Sequence, residues 1–322
     1  MKLQKYLPAL FFLTLFVSCQ SPKSNAPVIG FVDAFEDATI SQARTGFSDA
    51  LKKNGFIEEQ KTVSIQYSNA QGDIPTLTQI VNRFVSEKVD LLATCTTLST
   101  ITALQKTKTI PVFAMVSPTP ARMNVVSSTG VAPANLFGAV EELAYIDTSF
   151  NLIPKLLKPK GRKLVIGMIY NQSEPQSADA MSRIKSLADK ADVTLVALPL
   201  NSSADAQLVT KSLLSKNIDA FFANPDNTVF ASFETILKNC NQANVPIFTS
   251  EAGLVKRGAV AAFGADIYQW GYQAGEQAAQ YLKTHKTDGL KPEMVKIRRR
   301  VYNPDAAKKY NIIVPSNFEA VK

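Results

Sequence analysis

From residue 27 onward the chain alternates short apolar runs with stretches of helical periodicity. Residues 28–32, 91–95, 111–116 and 136–140 are apolar runs with no exposed face, the pattern of buried parallel strands, and 63–67 alternates as a strand. Between them, Ile40, Ala43, Phe47, Ala50 and Leu51 form one helical stripe, stopped by Asn54-Gly55. Leu77, Ile80, Val81, Phe84 and Val85 form a second, and a third helix is expected from about Ser99. Residues 145–157, halted by Pro159 and Gly161, predict a helical bridge, after which the cycle restarts. Strands at 164–170, 193–198, 220–223, 245–249 and 259–263 alternate with further helices. A long helix over 268–283, a strand-like stretch over 294–302 and a short terminal helix complete the chain.

This alternation predicts the α/β class: two successive open, mainly parallel sheets flanked by helices, hence a two-lobed molecule. Several strands end in small polar residues at a helix start. The run 164–170 leads into Asn171, Ser173 and Glu174, then into a helix marked by Ala178, Met181, Ile184, Leu187 and Ala188. Such ends present free N–H groups and hydroxyls at the carboxyl edge of the sheet, where open α/β folds hold ligands.

Composition adds little to the body of the chain. At 322 residues, 46% hydrophobic and 19% charged, it is long enough for two ordinary globular units. Its first residues differ. Lys2 and Lys5 precede an apolar run over 6–17 closed by Ser18 and Cys19. As a helix that run reaches about 18 Å, short of the roughly 30 Å of a bilayer core. Residues 1–18 therefore read as a signal peptide, and FVSC resembles a bacterial lipobox, which would lipidate Cys19; ordinary secretion with Cys19 a spectator is the alternative. Residues 19–27 would form the lipidated end and a short tether, anchoring an extracytoplasmic protein to a membrane.

The formal net charge is +8, and losing Lys2 and Lys5 with the leader leaves +6, which suits an anionic membrane surface. Lys296, Arg298, Arg299 and Arg300 form the one basic cluster; without a nucleic-acid motif or interleaved aromatics it reads as a solvated face or partner contact. Cys95 and Cys240, on different lobes, read as buried free thiols. The sole histidine, His285, leaves no Ser–His or Cys–His pair, no clustered metal ligands and no phosphate-cradling glycine loop. A binding protein that shuts around a small solute is expected, with no enzymatic activity, cofactor or metal.

Particular residues supply a family. YNQSEPQS (170–177) resembles the YNPSEANS signature of one family of ABC-transporter substrate-binding proteins, the type I periplasmic-binding family that includes tryptophan and aromatic amino acid binding lipoproteins. NPDNTV (224–229) is similar to its PTDNTV, and SEAGLVKRGAVAAFG (250–264) to its serine–acid stretch followed by VKRGALAALG. Glu36 stands at its EHP turn, and ARTGF (43–47) matches its A-R-x-G-F helix. The resemblance spans nearly the whole mature chain. It implies a monomeric solute-binding lipoprotein that hands an amino-acid-like ligand to an ABC permease by lobe closure. The first lobe would be 28–142 plus about 267–295, and the second 143–266 plus about 296–322.

Departures fall in ligand-facing loops. Asp37-Ala38 replaces His-Pro, Thr96-Thr97-Leu98 stands in a small–Thr–Pro turn, Val116-Ser117-Pro118-Thr119 replaces V-T-D-P, and Pro175-Gln176 replaces Ala-Asn. An aromatic amino acid is favoured as cargo; a sugar, nucleoside or aliphatic amino acid, or a sensing role with a membrane partner, remain alternatives.

The chemistry of a free amino acid selects candidates. Its carboxylate calls for helix-start amides and hydroxyls, pointing to Thr97, Ser173 and Ser177, with Asn171 shaping a turn; simple N-capping competes at Thr97 and Ser177, and Thr96, Ser117 and Ser250 are further ligand-facing candidates. Its ammonium calls for an acid: Asp226 ranks ahead of Glu36 and Glu251, while Glu174 serves the ligand or caps its own helix. Asn227 suits either group. Phe35 and Tyr268 offer rings for an aromatic side chain, whereas Trp270 reads as packing or interface.

Overall fold

A computed structural model describes residues 26–321. The expected leader at 1–18, Cys19 and residues 20–25 of the tether lie outside the described residues.

The first lobe begins with β1 (Val28–Asp33), α1 (Ser41–Lys53), β2 (Ser64–Asn69), α2 (Ile74–Glu87), β3 (Leu91–Cys95), α3 (Thr97–Lys106), β4 (Val112–Pro118) and β5 (Leu136–Glu141). Its strands pair in parallel in the order β5-β4-β3-β1-β2. β3 and β5 are buried at every position, as strands covered on both faces must be.

The second lobe runs through α4 (Ala144–Phe150), α5 (Ile153–Leu156), β6 (Val165–Tyr170), α6 (Pro175–Lys190), β7 (Thr194–Pro199), α7 (Ala206–Leu214), β8 (Ala220–Ala223), α8 (Asn227–Ala231), α9 (Phe233–Gln242), β9 (Ile247–Thr249), α10 (Ala252–Lys256) and β10 (Ala261–Ala265). β7-β6-β8-β9 form a parallel sheet. It continues to β10, where the Val260 and Ala265 amides donate to the carbonyls of Ile247 (2.7 Å) and Ser250 (2.9 Å). The expected bridge over 145–157 is two short helices, α4 and α5. Pro154 enters the first turn of α5, where its fixed φ and missing N–H start a new helix rather than extend the old one.

The chain then returns. α11 (Ile267–Thr284) lies along α1 so closely that a Cβ on Gly271 would stand 1.8 Å from the Ala43 carbonyl oxygen, and one on Gly46 2.0 Å from that of Tyr268. β11 (Pro292–Met294) adds to the first sheet beside β5, and β12 (Arg298–Tyr302) pairs antiparallel with β10. The strand-like stretch 294–302 is thus divided between two sheets, with 295–297 crossing from one to the other. α12 (Pro304–Lys309) and β13 (Glu319–Ala320), parallel to β12, complete the fold. Cys95 and Cys240 are free and buried.

The basic cluster is neutralised locally. Arg298 pairs with Glu141, Arg299 with Glu319 (2.6 Å) and Asp266 (3.7 Å), Lys296 with Glu293 (3.3 Å), and Arg300 lies 4.1 Å over the Phe263 ring. Among the described residues no helix is long and apolar enough to cross a membrane.

Candidate functional site

The carboxyl ends of the two sheets face each other across a tight cavity of about 40 Å³. The first lobe lines it with Thr96, Thr97, Val116, Ser117, Pro118 and Glu141. The second contributes Leu143, Tyr145, Gln176, Pro225, Asp226, Asn227, Phe230 and Glu251, and α11 contributes Trp270.

Backbone strain shapes the first-lobe wall. Thr96 ends β3 at φ 74°, ψ 163°, and Val116 has φ 54° where the β4–β5 register shifts between Ala114 and Ser117. Positive φ is rare for β-branched residues and costs on the order of 1–3 kcal/mol at each position. The consequence is chemical: the Thr96 hydroxyl is buried with no hydrogen-bond partner and does not cap α3, which therefore opens on the cavity with Thr97 in its first turn. Beneath it, the Thr100 hydroxyl bonds those of Thr94 (2.9 Å) and Ser117 (3.0 Å), so Ser117 is already engaged.

In the second lobe two acids are spent on the scaffold. Glu174 precedes α6, yet its carboxylate accepts from the amides of Asn227 (2.9 Å) and Thr228 (3.1 Å) and from the Thr228 hydroxyl (2.7 Å), capping α8. Asp226 caps α8 through the Val229 amide (2.8 Å) and also accepts from the Asn171 amide (2.6 Å) and the Ser177 hydroxyl. Asn171 closes the set, donating to the Thr228 hydroxyl (2.9 Å) and accepting from the Ser173 amide (2.9 Å). Burial raises both acids, and the Asp226 charge helps lift Glu174 to about 7. Asp226 borders the cavity, but both its oxygens are in use.

Glu251 is arranged differently. It ends the β9 turn, is 2% exposed, and its Oε2 has no partner. Burial holds its carboxyl well above the usual range, opposed by a hydrogen bond from the Tyr145 hydroxyl. Nearby, Glu141 is tied to Arg298 by two hydrogen bonds, at 2.6 and 3.0 Å, which join the ends of two crossing segments. Burial lifts the Glu141 carboxyl and Arg298 partly restrains it.

Buried atoms without partners cluster in this cavity: Thr96 Oγ1, Gln176 Oε1, Asn227 Nδ2, Glu251 Oε2 and the Trp270 indole Nε1 all belong to residues lining it. Leaving a buried polar atom unpaired costs about 1–3 kcal/mol, so this cavity carries hydrogen-bonding capacity that the protein itself does not satisfy. The apolar remainder of the wall includes Leu143, Phe230 and the Tyr145 and Trp270 rings, which meet edge-to-face at 6.1 Å. Among the described residues no group of three or more His, Cys, Asp or Glu is placed to hold a metal.

Of the sequence candidates, Thr96, Thr97, Ser117, Asp226, Asn227 and Glu251 line the cavity. Ser177 supports Asp226, and Ser250 is buried with its hydroxyl unpartnered and its carbonyl bonded to β10. Phe35, Glu36, Asn171, Ser173 and Glu174 border a separate recess between the lobes. There Glu36 accepts from Tyr67 and Asn69 of the first lobe (3.3 and 3.2 Å). Tyr268 is not in the cavity wall: its hydroxyl bonds Asp49 of α1 at 3.0 Å and its ring stacks on Tyr272. Trp270, two residues on and so about 200° around the helix, takes the place expected of it. The sequence marks Gln176 only as a departure in a ligand-facing loop and singles out neither Tyr145 nor Phe230; Phe230 directly follows NPDNTV, the one signal that pointed near it.

A family model for ABC transporter substrate binding proteins matches residues 28–321. The tyrosine-binding protein of Clostridioides difficile (strain R20291) is 33% identical over 255 residues, 79% of this chain and 72% of that one. A conserved domain protein of Vibrio cholerae is 27% identical with a TM-score of 0.80, covering 92% of this chain and 100% of that one. A ligand-free, open substrate-binding protein with adhesive properties from Clostridium difficile is 28% identical, with a TM-score of 0.65 over 92% and 99% of the two chains. A Streptococcus pneumoniae ABC domain in complex with L-Trp shares the fold at 22% identity, with a TM-score of 0.80 over 92% and 100%. The chain belongs to the family of ABC transporter substrate-binding proteins, with the type I periplasmic-binding fold.

Proposed function

We propose that this protein is the extracytoplasmic solute-binding component of an ABC importer and holds an aromatic amino acid in the cavity between its lobes. The observation that carries this reading is the set of unpartnered buried atoms around an otherwise aromatic and apolar wall. Glu251 Oε2 takes the ammonium. The Thr96 hydroxyl and the uncapped start of α3 take the carboxylate, where the helix dipole favours an anion. The ring lies among Tyr145, Phe230 and Trp270. The tyrosine-binding relative supports an aromatic amino acid, and the poorer overlay on the open, ligand-free relative supports a closed arrangement here.

The lobes would be 28–142 with about 267–295, and 143–266 with about 296–322; the pairing of β11 with β5 and of β12 with β10 supports this division. In the same reading the chain is a monomer anchored through lipidated Cys19 and passes its solute to a membrane permease. Calorimetry on the soluble form from Gln20 against the twenty amino acids and common nucleosides tests the function. An aromatic amino acid should bind, and Glu251→Gln should weaken it by about 100-fold, as loss of a buried charge-assisted bond requires. Binding of a nucleoside or sugar instead, or of no amino acid, overturns it.

A further inference from the structure

Once Glu251 and Thr96 are assigned to the zwitterion, two unpartnered atoms remain on second-lobe residues that line the cavity: Gln176 Oε1 and Asn227 Nδ2. Both are organised by Glu174. Gln176 donates its Nε2 to Glu174 Oε2 at 2.5 Å, which fixes the amide and leaves its oxygen as the free, accepting atom. The Asn227 amide donates to the same carboxylate oxygen at 2.9 Å, which holds that residue beside Gln176 while its side-chain N–H remains unspent. One corner of the cavity thus offers a buried acceptor and a buried donor, neither bonded to the other.

The topology sets this corner apart from the ammonium site. Gln176 follows β6, Asn227 follows β8 and Glu251 follows β9, and these strands are consecutive in the sheet. At about 4.8 Å between neighbouring strands, the ends of β6 and β9 are roughly 10 Å apart. An amino acid with its ammonium on Glu251 therefore extends its side chain toward Gln176 and Asn227, with the aromatic wall between.

A group that both gives and takes a hydrogen bond satisfies this corner. A phenolic hydroxyl does so; an indole N–H only gives, and a phenyl ring does neither. We infer that Gln176 and Asn227 read the para-hydroxyl of a tyrosine-like ligand and set the preference for it over phenylalanine. This rests on the placement of the zwitterion proposed above. Sites built to bond a hydroxyl reject the analogue that lacks it, because their own buried groups are then left unpaired.

The test is calorimetry of the soluble form with L-tyrosine, L-phenylalanine and L-tryptophan, on the wild type and on Gln176→Leu, with thermal melts to verify folding. Tyrosine should bind the wild type about 10- to 100-fold more tightly than phenylalanine. Gln176→Leu should shrink that ratio at least severalfold, mainly by weakening tyrosine. Equal wild-type affinities for tyrosine and phenylalanine overturn the inference while leaving the zwitterion site standing. So does a Gln176→Leu variant that weakens all three ligands alike, which would place Gln176 on the shared head group. Failure of every amino acid to bind overturns the proposed function and this inference together.

Discussion

Arg257 of the second lobe donates through Nη1 to Asp37 Oδ2 of the first at 2.6 Å, and to the Thr39 hydroxyl at 2.9 Å. The other Asp37 oxygen accepts from the Thr39 and Ile40 amides at the entry to α1. Arg257 is steadied on its own lobe by Glu234 and the Phe230 carbonyl. Four residues earlier, Gly253 touches the same segment: a Cβ there would stand 2.4 Å from Thr39 Cγ2. α10 therefore carries Glu251 at its start and the interlobe contacts Gly253 and Arg257 along its length.

Gly253→Ala should act as a wedge and Arg257→Ala as a lost latch. Neither residue lines the cavity, so each should lower affinity only by reducing the closed population. A loss of about 2 kcal/mol, near 30-fold, is expected for Arg257→Ala, because the buried Asp37 is left without its countercharge. Small-angle scattering should report a larger radius of gyration for both variants in the presence of ligand. Wild-type compaction in both would remove the latch.

Asp226 and Glu251 should respond in opposite ways to neutral replacement. Asp226→Asn places an NH₂ group where either Val229 or Asn171 and Ser177 need an acceptor, so stability should fall by roughly 2–3 kcal/mol, with a lower melting temperature. Glu251→Gln removes no backbone cap, so the melting temperature should hold while affinity for amino acids collapses. Melting curves and calorimetry on the two variants decide between these roles, and a stable Asp226→Asn that cannot bind would reverse them.

The proposed role of Glu251 also predicts a pH dependence of binding. Burial raises its pKa, so with the ammonium on Glu251 as proposed, protons would compete with it for the same carboxylate as pH falls. Affinity should weaken on acidification in the wild type, and in Glu251→Gln it should lose most of that dependence. Titrations in buffers of different ionisation heat should reveal a proton released on binding at low pH. A wild type and variant with the same pH profile would place the ammonium elsewhere.

The strands were legible because a parallel strand buried on both faces is written as a continuous apolar run, as at β3 and β6. The division of 294–302 was not, since both parts look extended and only pairing partners far off in sequence separate them. Ranking Asp226 above Glu251 used position at a strand end, a property both share. What separates them is that Asn171 and Ser177, about fifty residues away, fill the Asp226 oxygens. Tyr268 and Trp270 were exchanged for a similar reason: the face a first-turn residue presents depends on how α11 docks on α1, which local periodicity does not encode.

Asp33, at the end of β1, offers a test of burial without ligand. It is 2% exposed, its Oδ1 has no partner, and its nearest cation, Arg44, is 4.0 Å away. Burial raises its pKa from 3.8 to about 6, with hydrogen bonds from Cys95 and Tyr67 and the Arg44 charge restraining the rise. The folded state therefore holds this proton more tightly than the unfolded chain. The resulting stabilisation is complete below about pH 4 and is lost as pH climbs through 6, where a charged group must stay buried. The difference corresponds to about 3 kcal/mol at most, reduced in practice by relaxation around the site. Asp33→Asn should match the wild type near pH 4 and melt several degrees higher at pH 8, with the gap opening between those values. Thermal melts at pH 4, 6 and 8 measure it; a gap that is constant with pH, or that favours the wild type at pH 8, would mean that the Arg44 contact outweighs burial.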